Sequence, residues 1–270
     1  MMTLAMKAAT ETAAMATDDL ALAQRLADAA GAAIRPWFRR PFLVETKADF
    51  SPVTAADREA EAVIRRLLDE YRPHDGVIGE EYGDDRPDAA RVWVLDPIDG
   101  TRAFVAGRPL FGTLIALLED GKPVLGIIDQ CIIGDRWLAG PGQPTLFNGQ
   151  RCHVRRCPQL AEARIGTTSP HAFPEADFAA FERARGAVGD TLYGGDCHNY
   201  GLVAAGHLDA VVEAGLKLHD WAALVPIVTG AGGVMSDWQG QPLDMARSDG
   251  RVIAAGDAAV AAAIAAALAD

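Results

Sequence analysis

Cysteine is scarce in this sequence. The four that occur, Cys131, Cys152, Cys157 and Cys197, show no C-x-x-C or other metal-ligand spacing, and they are too sparse for a disulfide framework in 270 residues. We therefore expect reduced thiols and a cytoplasmic setting. Basic residues are also in deficit: 25 Lys and Arg face 37 Asp and Glu, a formal net charge of −12. Nucleic acid and anionic membranes require a basic face, so neither is expected as a partner. A phosphate substrate stays admissible, because bound divalent cations invert a local acidic field. No apolar run approaches membrane-span length, and the first residues, with Lys7 and Glu11 among Met, Ala and Thr, lack the apolar core of a signal peptide. The expectation is a soluble, untargeted protein. Internal repeats are absent, and the one biased stretch, the Ala-rich C-terminus, has high helix propensity.

What is present suits an ordinary globular protein, with 50% hydrophobic and 23% charged residues. The length allows one large or two moderate domains. At the centre stands Val92-Trp93-Val94-Leu95-Asp96-Pro97-Ile98-Asp99-Gly100-Thr101. Val92 to Leu95 reads as a buried strand of the parallel-sheet kind, apolar on both faces. Pro97, lacking an N–H, is expected to stop the ladder, and Gly100 to let the chain turn. Asp96 and Asp99 then emerge together at a strand's carboxyl end, where open sheets tend to place their sites. Two anions so close repel unless a cation lies between them. An isolated D-P-x-D-G is equally an Asp-rich turn.

Along the chain, we expect a loose or partly helical tail before a helix from Thr17-Asp18-Asp19 to about Pro36. A short strand follows over Phe42 to Lys47. Thr54 with Asp57 forms a capping box at the head of a second helix, and alone Asp57 reads as a cap. Val77-Ile78-Gly79-Glu80-Glu81 is a short apolar run ending in acids. Thr113 to Leu118 and Val124 to Asp129, joined across Asp120-Gly121, form a hairpin, with Arg136 to Ala139 as a third strand. A division near residue 145 separates an α+β half, 1–145, from an α/β half, 146–270. The latter alternates strands and helices, with Asp220 heading a helix that runs to Val228.

The acidic positions Glu80, Asp96, Asp99 and Asp220 form an all-oxygen set, without paired His or Cys, of the kind that suits Mg²⁺. Lys47…Ser51-Pro52-Val53-Thr54…Asp57, Gly79-Glu80-Glu81, Asp96-Pro97-Ile98-Asp99-Gly100-Thr101 and Asp220-Trp221-Ala222-Ala223…Gly230-Ala231-Gly232-Gly233 resemble the motif set of the inositol monophosphatase family, in its order and at about its spacing. The resemblance implies a layered αβαβα sandwich with the site between the halves, and a homodimer. It also implies a Mg²⁺-dependent phosphomonoester hydrolase using direct in-line attack by a metal-held water, without a phosphoenzyme. Glu80, Asp96 and the Ile98 carbonyl would hold one Mg²⁺, and Asp96, Asp99 and Asp220 a second. A weaker third would use Glu80. Thr101, oriented by Asp57, would position and deprotonate the water, and the Gly100 and Thr101 N–H groups would meet the phosphate.

Substrate choice is expected in the second half. Polyol-specific members carry a small neutral segment where this chain has Gly194-Gly195-Asp196-Cys197. The runs Gly195 to Leu202 and Val212 to Lys217 are similar to the histidinol-phosphate phosphatase branch, which serves histidine biosynthesis. Asp196 and Glu213 would then receive a cationic leaving group, with Gly195 and Asn199 beside them. Asp196 also reads as a helix cap, and His198 and Asn199 as facing either the imidazole or solvent. His219 is expected to pack or to support the ligands from behind rather than to bind metal. An inositol-phosphate or broad-range sugar phosphatase is the nearer alternative, and a regulatory protein binding the transcription machinery the more distant one.

Overall fold

The computed structural model describes residues 4–41, 43–46 and 52–269. The first half opens with α1 (Leu4–Ile34), the antiparallel pair β1 (Val44–Thr46) and β2 (Pro52–Thr54), and α2 (Ala55–Tyr71). Next come β3 (Gly76–Gly79), β4 (Gly83–Asp85), β5 (Arg91–Asp99), the short α3 (Thr101–Val105), β6 (Gly112–Glu119), β7 (Lys122–Gln130), β8 (Asp135–Ala139), β9 (Leu146–Phe147) and β10 (Gln150–Arg151). The strands from β3 onward make an 8-stranded sheet in the order β10-β9-β8-β7-β6-β5-β3-β4, antiparallel except where β3 pairs with β5. A cut at residue 145 would remove β9 and β10 from it.

The second half contains β11 (Arg164–Thr167), α4 (Glu175–Ala187), β12 (Asp190–Tyr193), α5 (Cys197–Ala204) and β13 (Ala210–Glu213). It continues through α6 (Leu218–Trp221), α7 (Leu224–Gly230), β14 (Val234–Ser236), β15 (Val252–Ala255) and α8 (Ala258–Ala269). Its 5-stranded sheet runs β12-β11-β13-β15-β14, parallel from β12 to β13 and antiparallel beyond.

Alternation along β5 explains the layering. Trp93 and Leu95 face α1 and α2, packing with Leu26, Ile34 and Ile64. Val92 and Val94 face the other way, toward Tyr200 and Val203 of α5 and Ile227 of α7. The same middle layer meets Val211 and Val252 of the second sheet. The opposite face of that sheet, with Val212 and Ile253, is covered by Phe181 of α4 and Ile264 of α8. Helix and sheet layers therefore alternate as αβαβα, the expected sandwich. Among the described residues no helix is long and apolar enough to cross a membrane.

Several expectations need correction. α1 begins at Leu4 instead of Thr17, since the Ala- and Met-rich segment before Thr17 is itself strongly helix-forming. β5 is buried on both faces, yet it is parallel only to β3 and antiparallel to β6. Pro97 does not end it: the register slips between Asp96 and Asp99, which pair with Leu114 and Gly112. The bulge gives Pro97 a place that needs no N–H. Phe42 and the motif segment Lys47 to Ser51 lie outside the described residues. β4 and β12 are additional strands, short, largely exposed and without an apolar run to mark them.

Candidate active site

The bulge in β5 builds the floor. Thr113 Oγ1 donates to the Pro97 carbonyl at 2.9 Å, and Ile98 N donates to Asp96 Oδ1 at 3.1 Å. The Ile98 side chain is buried with α1 and α2, which anchors the loop from below. Gly100 then turns at φ 85° into α3. A Cβ there would lie 2.8 Å from the Asp196 carboxyl carbon, so only glycine fits. Glu80 follows β3, its N–H donating to the Leu95 carbonyl at 3.2 Å. From the other half, α6 brings His219 and Asp220, and Lys217 N donates to Asp220 Oδ2 at 2.6 Å. Asp220 thus caps the first turn of α6, and a separate α7 follows in place of one continuous helix.

Two overlapping donor sets result. In each of Asp96, Asp99, Asp220 and Glu80, Asp96, His219, one ligand atom per residue lies within 4.8 Å of the others. His219, expected to pack or to stand behind the ligands, is a member of the cluster, with Nε2 3.6 Å from Asp220 Oδ1. The electrostatics are those of crowded acids. Burial, then Glu80, Asp99 and Asp220, pushes the Asp96 carboxyl well above its ordinary range. Burial, then Asp196 and Asp220, does the same to Asp99, against the Cys197 N–H that donates to it at 2.6 Å. Burial raises Asp220 too, with His219 opposing. Buried carboxylates at this spacing ionise together only around a cation. Their hard oxygen donors fit a divalent ion such as Mg²⁺.

Asp57 serves two partners at once. Its Oδ2 accepts from Thr54 N at 2.8 Å and Thr54 Oγ1 at 2.5 Å, closing the capping box. Its Oδ1 accepts from Thr101 Oγ1 at 3.4 Å, while that hydroxyl also lies 3.0 Å from the Ile98 carbonyl. Burial raises the Asp57 carboxyl, with the Thr54 hydrogen bonds opposing.

Above the floor opens a cavity of about 550 Å³, a size suited to a small ligand. Asp99, Gly100 and Thr101 line its base, and Asp196, Tyr200 and Glu213 its far wall. Glu213 Oε1 accepts from Thr168 N and Oε2 from Tyr200 Oη, both at 2.8 Å, so this buried carboxylate is held rigidly. Asp196 differs. It occupies the N-cap position of α5 at φ 47°, ψ −138°, but its side chain makes no capping bond. Burial, then Glu213, pushes its carboxyl up to about 7, with Arg108 opposing. Asp196 therefore stands at the head of α5 without capping it through its side chain. A non-glycine residue held in that region of backbone space is strained, a state that persists where function or surrounding structure imposes it.

Not every expected residue reaches the cavity. Glu80, Asp96, Ile98 and Asp57 are not among the residues that line it. Gly195 and Asn199 stand behind its wall: Asn199 Nδ2 donates to Gly194 O at 2.9 Å, and a Cβ on Gly195 would come within 2.4 Å of Asn199 Oδ1. They shape the turn that carries Asp196 and do not line the cavity. His198 packs near Trp137, ring centroids 5.7 Å apart. Ser169, His171 and Phe173 do line the cavity and were missed, because nothing in their local pattern marks a site.

The comparisons with known proteins bear on this geometry. The profile of the inositol monophosphatase family matches residues 16–270. The chain belongs to that family. Among its relatives, the bifunctional phosphatase IMPL2, chloroplastic, of Arabidopsis thaliana is 48% identical over 223 residues, 82% of this chain. The match spans 64% of the plant protein's own length. A histidinol-phosphatase of Streptomyces coelicolor is 40% identical over 236 residues, 83% of this chain and 88% of the relative. The structure of an inositol monophosphatase from Zymomonas mobilis superimposes with a TM-score of 0.87 at 54% identity, covering 94% of this chain and 98% of the other. The sandwich and the family resemblance are thus borne out, while the relatives' names divide on substrate.

Proposed function

We propose that this family member is a divalent-metal-dependent phosphomonoester hydrolase whose preferred substrate is histidinol phosphate. The observation that carries the substrate choice is the Asp196 carboxylate. It lines the cavity beside Glu213 and accepts no hydrogen bond among the described residues. A half-buried acid left without a partner is costly, and a cationic ligand group removes the cost. The ammonium and imidazole of histidinol phosphate supply such groups on the leaving-alcohol side.

Glu80, Asp96, the Ile98 carbonyl, Asp99 and Asp220 would hold Mg²⁺, two or three ions per site. When bound, such ions polarise the phosphoryl group and neutralise charge developing on its oxygens. The chain's own groups do the rest. Gly100 and Thr101 present main-chain N–H groups to the phosphate at the start of α3. The Thr101 hydroxyl, set by the Ile98 carbonyl and Asp57, orders the attacking water in line with the scissile P–O bond. Asp57, its carboxyl raised by burial, takes the proton passed through Thr101. Glu213, locked by Thr168 and Tyr200, and Asp196 orient the leaving alcohol. The cytoplasm and a homodimer would be its setting and form.

A second reading, a phosphatase of inositol phosphate or other sugar phosphates, draws on the Zymomonas mobilis inositol monophosphatase at 54% identity. Phosphate release measured with Mg²⁺ across histidinol phosphate, inositol 1-phosphate and glycerol phosphate separates the two. A higher kcat/KM on inositol 1-phosphate than on histidinol phosphate would overturn our choice of substrate. No release from any ester would overturn the hydrolase itself.

A further inference from the structure

The face of α2 that carries Asp57 carries a second buried acid one turn later. Glu61 is fully buried, although its helix neighbours Ala60 and Ile64 are apolar core residues. Its carboxylate does not serve its own helix alone. Oε2 accepts from Glu81 N at 2.8 Å, and Oε1 from Tyr82 N at 3.2 Å and from Arg65 Nε at 2.7 Å. Arg65 also donates through a terminal nitrogen to the Gly83 carbonyl. The whole turn between β3 and β4 is therefore fastened to α2 by one acid and one base.

That turn is the one that presents Glu80. On its upstream side Glu80 is fixed by the hydrogen bond from its own N–H to Leu95 of β5. On its downstream side the next two N–H groups both point at Glu61. Gly79 makes room for this arrangement, since a Cβ there would come within 2.1 Å of Glu61 Oε1. Without Glu61 the part-buried N–H groups of Glu81 and Tyr82 would both lose the fixed acceptor that holds them to α2. The turn would then shift, and Glu80 with it, away from Asp96 and His219.

We propose that Glu61 is a positioning residue for the metal centre, holding Glu80 in register with Asp96 and His219 and thereby setting cation affinity at that position. The proposal rests on the metal reading given above. Helix α2 then has two roles. Asp57 serves the water-ordering hydroxyl, and Glu61, on the same helical stripe, serves the neighbouring cation position. Outer partners of metal ligands are worth roughly 10- to 100-fold in metal affinity, which sets the scale expected here.

The test is calorimetric titration of Mg²⁺, repeated with Mn²⁺, into wild type, Glu61→Gln, Glu61→Ala and Arg65→Lys. Amide hydrogen exchange at Glu81 and Tyr82 is followed in the metal-free proteins. We expect Glu61→Gln, which keeps one acceptor oxygen, to weaken one class of sites about 10-fold, and Glu61→Ala to weaken it further. Arg65→Lys should fall between wild type and Glu61→Gln. Excess Mg²⁺ should recover most of kcat in Glu61→Gln, and exchange at the two amides should rise in step with the loss of affinity. If exchange rises in a folded Glu61→Gln protein while metal affinity is unchanged, Glu61 is structural only and the proposal falls. If wild type binds neither cation, the metal reading fails and takes this proposal with it. Should Glu61→Ala fail to fold, the order of Glu61→Gln and Arg65→Lys still decides.

Discussion

Replacing Asp196 with Asn changes one charge on the cavity wall and little else. Asn is nearly isosteric and tolerates positive φ, so the turn at φ 47° should persist. In wild type the carboxylate has no hydrogen-bond partner among the described residues and stands ready for a cation. A charge-assisted hydrogen bond in such a place is worth about 1.5–3 kcal/mol. At roughly 1.4 kcal/mol per decade, that is about one to two decades in kcat/KM. Asp196→Asn should therefore lower kcat/KM on histidinol phosphate by that factor and leave glycerol phosphate or inositol 1-phosphate nearly unchanged. The ratio of the two values is the quantity to read, because it cancels general damage to the metal centre. Glu213→Gln is a poorer probe, since Thr168 and Tyr200 already occupy both oxygens and the change would unsettle the wall.

The same substitution has a stability signature of opposite sign. Burial, then Glu213, raises the Asp196 carboxyl to about 7. A raised folded-state value means the favourable contribution is complete below the unfolded value near ~4 and is lost as pH rises through about 7. Asp196→Asn removes that loss, so the metal-free protein should melt at a higher temperature than wild type at pH 8 and not at pH 4.5. A variant that loses activity on both ester classes equally, with no gain in melting temperature at pH 8, would refute the reasoning and leave Asp196 a purely structural residue.

Other consequences follow from the floor. Asp96→Asn should lower kcat/KM by several decades and weaken Mg²⁺ binding in calorimetry, since Asp96 belongs to both donor sets; near-normal turnover would sink the two-set assignment. Thr101→Ala should lower kcat far more than it changes KM, and Thr101→Ser should keep much of the activity; a KM effect alone would make Thr101 a phosphate contact only. Asp96, Asp99 and Asp220 all have raised carboxyl values from burial. Their favourable contribution is thus lost as pH rises above the ordinary carboxylate range, and Mg²⁺ should raise the melting temperature more at pH 7.5 than at pH 5.5. Equal shifts at both pH values would contradict the crowded-acid account.

Much of this was legible in the residues, for local reasons. The unbroken apolar run Val92 to Leu95 marked a strand buried on both faces, and Asp120-Gly121, both residues at positive φ, marked a hairpin turn. Glu80, Asp96, Asp99 and Asp220 could be picked out because each ends or begins an element beside a glycine or a turn. What escaped has its cause at longer range. His219 joins the cluster only because α6 docks against β5. Glu61 could have been suspected, as a charge within the apolar stripe of α2, but its main-chain partners lie on the β3–β4 turn. Asn199 read as facing either the ligand or solvent, whereas its amide donates to Gly194.

The junction between the halves is where prediction from local pattern gives out and where the chemistry is assembled. Asp99, from the first sheet, accepts the N–H of Cys197, the first residue of α5 in the second half. Gly100 lies under the Asp196 carboxyl, and Asp220 closes the donor set that β5 begins. Each half alone would hold an incomplete set of acids without the geometry to share a cation. The apolar middle layer of α5 and α7, packed between both sheets, supplies the docking that forces these like charges together. Burial of that layer, at about 25 cal/mol per Å² of apolar surface, works against the repulsion of the carboxylates. The strain is therefore imposed by the core and relieved by the cation, so metal binding and docking of the two halves should reinforce each other.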